Sequence, residues 1–196
     1  SMAGEPAERA PWGDTVPDRN EQRELKRQVV LRTAAAAFVS KGFHKTSLAT
    51  IAAELNINKA TLYHYFSSKD EILYECHRQA IDSIVGDESG DWPHQAGALE
   101  NLRTFVRRYM QMVTGVFGMT LVVIRTNQLE PDSRRKCNEG RREIDHLLRD
   151  IIERGTAEGT FRACDPVVTA ALIFGAMNWT CHWYDKAGKL GIEQLT

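Results

Sequence analysis

Apolar residues recur at helical spacing along most of the chain, and the interruptions mark where helices stop. From about Glu21, the residues Val30, Thr33, Ala34, Ala37 and Phe38 fall on one face. Lys41-Gly42-Phe43 then supplies a basic last turn, a glycine stop and an apolar anchor. Thr46-Ser47 is placed to cap a second, short helix from Leu48 to Leu55, whose inner face is Leu48, Ile51, Ala52 and Leu55. Asn56-Ile57-Asn58 makes the turn that follows, because Asn56 tolerates a left-handed backbone and Asn58 can cap the next helix, Lys59 to Phe66. Ser68-Lys69-Asp70-Glu71 has the form of a capping box and opens a fourth helix through Ile72, Leu73, Cys76, Ala80 and Ile84, broken at Gly86 to Pro93.

The second half carries the same period. Leu99, Leu102, Val106, Tyr109, Met110 and Val113 predict one helix, and Met119 to Leu129 a shorter apolar one. Ile144, Leu147, Leu148, Ile151 and Ile152 predict a third, and Asp165-Pro166 opens a last helix, Val167 to Trp183, apolar nearly all round. No segment alternates at strand period. The expected fold is all-α: a flexible tail over residues 1–18, a three-helix helix-turn-helix domain over 19–68, and a helical body over 69–196.

Composition adds exclusions. With 42% hydrophobic and 26% charged residues and a net charge of −1, the chain is an ordinary globular one. No apolar run is long enough to span a bilayer and no secretory signal is visible, so the expected compartment is the cytoplasm, without a membrane partner. Cys76, Cys137, Cys164 and Cys181 form no Cys-x-x-Cys pair and read as free thiols, so neither a metal site nor a cofactor is expected. A phosphate loop, a nucleophile elbow and a zinc-protease motif are all missing, which argues against an enzyme. Charge is unevenly spread. Between Arg19 and Lys69 nine basic residues face three acids, a net +6, which leaves −7 for the remainder. A basic end on an acidic body points to nucleic acid as partner.

Two short helices joined by a tight turn describe a helix-turn-helix, whose second helix fits the major groove. Leu62 and Phe66 should face inward, leaving Lys59, Ala60, Thr61, Tyr63 and His64 turned outward in varying degree. Tyr63 and Tyr65 serve either DNA or an aromatic core cluster with Phe66. Thr46-Ser47-Leu48 through Ile51-Ala52-Ala53, followed by Ala60-Thr61-Leu62-Tyr63-His64-Tyr65-Phe66 and Ser68-Lys69-Asp70-Glu71, resembles the DNA-binding domain of the tetracycline-repressor (TetR) family. It departs from the family pattern at Asn56 and Ala60, where members often have glycine. The resemblance implies that Tyr63 and Lys69 grip phosphates and that Thr46 or Ser47 caps a helix beside the DNA backbone. It also implies that Lys59, Thr61 and His64 approach bases or phosphates.

The resemblance further implies a homodimer on palindromic operator DNA, joined through the last two long helices. The dimer candidates are Ile144, Leu147, Leu148, Ile151, Ala171 and Gly175, although the Ile144–Ile152 stripe alternatively packs inside the chain. Phe105, Tyr109, Met112, Phe117, Asn178, Trp179, His182 and Trp183 combine bulk with polar handles, as a pocket for a small hydrophobic effector does. Arg125, in an apolar stretch, is expected either to meet that ligand or to form an internal ion pair. Arg134, Arg135, Lys136, Arg141 and Arg142 read as a solvated helix face, with a seat for a phosphate-bearing ligand as the alternative. Gly175 through Tyr184 resembles the end of family members that sense acyl-coenzyme A thioesters. A ligand-responsive repressor is the expectation, and a ligand-independent DNA organiser of the same fold the alternative.

Overall fold

A computed structural model describes residues 18–86 and 96–184, together with Gly188, Gly191 and Gln194. The expected flexible tail lies outside the described residues, apart from Asp18. Among the described residues there are eight α-helices and no strand: α1 (Arg19–Lys41), α2 (Leu48–Glu54), α3 (Lys59–Tyr63), α4 (Lys69–Val85), α5 (Ala98–Val113), α6 (Val116–Val123), α7 (Pro131–Ala157) and α8 (Pro166–Trp179). None is long and apolar enough to cross a membrane.

Local chemistry sets most of the boundaries. Asp18 and Glu21 form a reciprocal capping box that starts α1 two residues before the expected onset. Ser47, Asn58, Ser68 and Asp165 each accept a backbone N–H at the start of a helix. Asn56 is the one non-glycine residue at positive φ among the described residues, at 53°, as the turn before α3 requires.

The segment after α5 departs from the expectation. Helix α6 starts at Val116, with Gly118 inside it, and ends at Val123 rather than running from Met119 to Leu129. The chain turns extended at Ile124, and Arg125 emerges exposed beyond the helix end. Arg125 therefore has no buried charge to compensate.

One apolar cluster joins α1, α2 and α3 through Leu31, Phe38, Ile51, Leu62 and Phe66, closed from below by Ile72, Leu73 and Cys76 of α4. A second fills the body with Ile81 and Ile84 of α4, Phe105 and Val113 of α5, and Ile144, Leu148, Ile151 and Ile152 of α7. The Ile144–Ile152 stripe therefore packs inside its own chain. Helix α7 lies among α4, α5 and α8, which take up its apolar face, so Ile144, Leu148 and Ile151 are buried and Leu147 is half-buried. Helix α8 is the opposite case: Val168, Leu172 and Trp179 are exposed on one side of it, with the small residues Ala171, Gly175 and Ala176.

Candidate nucleic-acid interface and effector chamber

The reading head is built by caps and a short turn. Asn58 Oδ1 accepts both the Thr61 amide at 2.7 Å and the Thr61 hydroxyl at 2.8 Å, so Thr61 is held at the first turn of α3. Leu62 is fully buried and roots α3 in the core, while Lys59, Ala60, Tyr63 and His64 are exposed. The Lys59 ammonium sits 5.5 Å from the Tyr63 ring centroid, which places a cation and a phenol together on the outer face. Around them a groove of about 360 Å³ is lined by His44, Ser47, Lys59, Tyr63, Ser67 and Lys69. These hydroxyl, ammonium, phenol and imidazole groups are the donor types that hold phosphate oxygens.

Three expected DNA contacts take other work in this structure. Thr46 is fully buried, and its hydroxyl donates to the Gly42 carbonyl at 2.9 Å and the Ala37 carbonyl at 3.3 Å. It ties the end of α1 to the start of α2, and Ser47 is the residue that caps α2. Lys69 donates to the Phe43 and Thr46 carbonyls at 3.0 and 3.3 Å, so two of its three N–H bonds are engaged beside the groove. Tyr65 is half-buried and packs on the head's core instead of standing free. On α1, the Arg27 guanidinium lies over Phe66 and donates to the Tyr65 carbonyl at 2.8 Å, so it is engaged within the head, whereas Arg23 and Lys26 are among the exposed cations of that helix.

In the body, the expected ligand residues do not share one cavity. Tyr109 and Asn178 do: the Tyr109 hydroxyl donates to Asn178 Oδ1 at 2.7 Å, in a chamber of about 250 Å³ whose other walls include Leu121, Val122, Arg141, Ile144 and Phe174. Phe105 lies behind it, fully buried and stacked on Tyr109 at 5.8 Å. Met112 and Phe117 instead line a separate cleft of about 240 Å³ with Arg32, Gln79 and Arg108, where α5 and α6 meet α1 and α4. Trp179, His182 and Trp183 are exposed outside both; the helix expected to run to Trp183 ends at Trp179, and a tighter turn over Thr180–His182 follows it. Arg125 reaches neither cavity wall.

Two residues of the chamber region take places that sequence reasoning did not assign them. Arg141, expected on a solvated basic face, is half-buried, and its guanidinium donates to the Leu121 and Ile124 carbonyls at 2.6 and 3.1 Å, closing the C-terminal end of α6. His77 on α4 is fully buried, and neither imidazole nitrogen has a hydrogen-bond partner. The signal was positional: Arg141 continues the Ile144–Leu148–Ile151 stripe three residues upstream, and His77 falls among Leu73, Ala80 and Ile84.

Burial pushes the His77 imidazole down to about 4, the Arg141 charge adds to that, and the Thr120 backbone works weakly the other way. An unfolded chain takes up this proton near the ordinary histidine value, whereas the folded one resists until about pH 4. Stability is thus unaffected by this group above the ordinary value and falls as the pH drops below it. Between pH 7 and pH 5 the loss from this group is about 2 kcal/mol. Urea denaturation at the two pH values checks it, and His77→Met is expected to flatten the difference; an unchanged slope in that variant would exclude His77 as its source. Burial raises Cys76 as well, and Cys137 to about 11, so both thiols stay protonated.

Family comparison decides what this head and body are. The model of the tetracyclin repressor-like C-terminal domain matches residues 95–196, and that of the tetR family of bacterial regulatory proteins matches residues 30–76. The chain belongs to the TetR family. Among solved TetR-family structures, PfmR from Thermus thermophilus is 30% identical, with a TM-score of 0.73 over 85% of this chain and 91% of PfmR. AibR, solved with isovaleryl coenzyme A and operator DNA, shares the fold at a TM-score of 0.75 and 24% identity, covering 87% of this chain and 93% of AibR. The repressor KstR2 of Mycolicibacterium smegmatis is 24% identical over 193 residues, 91% of this chain and 89% of KstR2. The fatty acid metabolism regulator protein of Bacillus subtilis is 22% identical over 161 residues, 81% of this chain and 83% of that protein. These TetR-family relatives are transcriptional regulators, and the helix-turn-helix is the DNA-binding head of that family.

Proposed function

We propose that this TetR-family chain is a ligand-responsive repressor that binds palindromic operator DNA as a homodimer and is released by a compact hydrophobic effector, an acyl thioester. One observation carries the reading. Helix α6 forms a wall of the chamber through Leu121 and Val122 and also packs directly on α1 of the reading head. A ligand that changes the seat of α6 therefore changes the footing of the helix that orients α2 and α3. Relatives support the effector class, since AibR was crystallised with isovaleryl coenzyme A and another relative is a fatty acid metabolism regulator.

Lys59, Tyr63 and His64, with Ser47 and the free N–H of Lys69, are the proposed DNA contacts. Ala60 and Thr61 lie at the start of the reading helix, where close approach to base edges is possible. The exposed side of α8 around Ala171, Leu172 and Gly175 is the proposed dimer seam, and its small residues let two helices approach closely. The dimer holds two reading helices for half-sites about one DNA turn, ~34 Å, apart.

Fluorescence anisotropy on DNA from upstream of the gene, with a scrambled duplex and a salt series, tests the reading. Tight binding of about 10⁻⁸ M or better, with the scramble roughly 10³-fold weaker, is expected. Lys59→Ala should weaken binding to both duplexes and reduce the salt slope by about one. Equal, weak, salt-labile binding to the two duplexes would refute the operator reading.

A further inference from the structure

Arg141 does two things at once. It lines the Tyr109–Asn178 chamber, and its guanidinium holds the Leu121 and Ile124 carbonyls at the end of α6. Those carbonyls are among the acceptors a helix leaves unsatisfied at its C-terminus, and a cation there also meets the negative end of the helix dipole. Yet among the described residues Arg141 has no carboxylate. The acid sharing the chamber wall, Asp145, is held by Arg149 at 2.7 Å. His77 beside it stays neutral, and the Arg141 Nε–H is buried without a hydrogen-bond partner. A guanidinium taken out of water without a counter-charge is costly. The chamber thus presents an apolar wall, a tyrosine–asparagine pair and one uncompensated cation.

Its size narrows what can enter. At roughly 30 Å³ for each small group, taking the share of a liquid water as the unit, about 250 Å³ accommodates some eight heavy atoms. A larger ligand would have to extend out through the open side of the chamber, so its walls read only a short part of it.

We infer that Arg141 is the effector-reading latch of this chain: the chamber takes a short acyl group whose oxygen accepts from the Arg141 guanidinium, and this draws Arg141 off the end of α6. The inference rests on the proposed function, since it supplies the way in which ligand in the body loosens α6 from α1. The exchange is selective because an acyl oxygen gives the buried Nε–H a partner that the α6 carbonyls do not give it. A ligand shifts the equilibrium only through such a difference between states. Carboxylate of a free acid and carbonyl of a thioester offer the same acceptor chemistry, so both belong in the test.

The experiment uses the full chain on upstream DNA, titrated with hexanoate in one arm and hexanoyl-coenzyme A in the other. One of the two is expected to weaken DNA binding by about tenfold or more, within the usual range of coupling between sites. Arg141→Gln, which cannot hold both α6 carbonyls, should bind the DNA about tenfold more weakly without ligand and change less than about twofold on adding it. Arg141→Lys keeps the charge without the fork and should respond weakly. Exposed Arg125→Gln should respond like the parent. If Arg141→Gln unfolds, Arg141→Lys carries the comparison, with circular dichroism confirming its helices. Specific DNA binding that neither ligand alters, or an Arg141 variant that responds like the parent, would overturn the latch while leaving the repressor's DNA reading intact. Loss of sequence-specific DNA binding in the parent would instead sink the proposed function itself.

Discussion

Leu172→Asp is expected to yield a folded monomer that no longer binds operator DNA tightly. Leu172 is 70% exposed on α8, the most exposed large apolar side chain in its cluster with Val168 and Trp179. Among the described residues nothing covers it, so a carboxylate there costs the isolated fold little. In a two-fold dimer the same patch meets itself, and each substitution enters the seam twice, adding two desolvated like charges near the axis. A single head then reads one half-site alone, and operator affinity should fall by about a thousandfold or more. Light scattering after size exclusion would read the mass directly: the single-chain 22.1 kDa for the variant, and twice that for the parent. Leu148→Asp is the contrasting substitution. Leu148 is fully buried between α7 and its neighbours, so the variant should fail to fold rather than dissociate. A Leu172→Asp protein that remains dimeric would place the seam elsewhere.

Gly118→Ala is expected to destabilise the chain although alanine is the better helix former by roughly 1 kcal/mol. A methyl group at this position would overlap the Met112 carbonyl oxygen at the end of α5, as well as the Met112 sulfur. The sulfur can swing aside; the carbonyl cannot, because it belongs to the corner in which the Gly115 amide donates to it at 2.8 Å. Helix α6 would have to lift from α5, and with it the wall shared by the two cavities. Overpacking of this kind costs about 1–3 kcal/mol and sometimes more, and the midpoint of thermal unfolding should drop by about 2–12 °C. Gly140→Ala provides the measure of specificity. A methyl there meets the flexible tip of the Ile81 side chain, which can move, so its midpoint should change little. Equal effects in the two variants would mean that the α5–α6 corner is looser than its geometry indicates.

What could be read from sequence was local. The caps at Ser47, Asn58 and Ser68, the left-handed Asn56 and the buried Leu62 were all legible, because each depends on groups within a few residues of one another. So was the head's outward face at Lys59, Tyr63 and His64, which follows from the helical period once Leu62 points inward. Thr46 was less legible. Thr46 and Ser47 are adjacent hydroxyls, and only the return of α1 beneath them decides that one is buried and the other caps.

The chain's own sequence therefore determined that it is all-α, that it carries a helix-turn-helix, and which residues that motif presents. Tertiary structure alone decided which apolar faces are covered and which arginine is enclosed. The α7 stripe and the α8 face are both apolar in sequence, but α4, α5 and α8 close over the first, while among the described residues nothing covers the outer side of the second. Arg125 sits in the more apolar stretch yet lies in water, because α6 ends before it, whereas Arg141 in a highly charged stretch faces inward at the end of that same helix. Periodicity records which face of a helix is apolar; it holds no record of the sequence-distant element that comes to cover it.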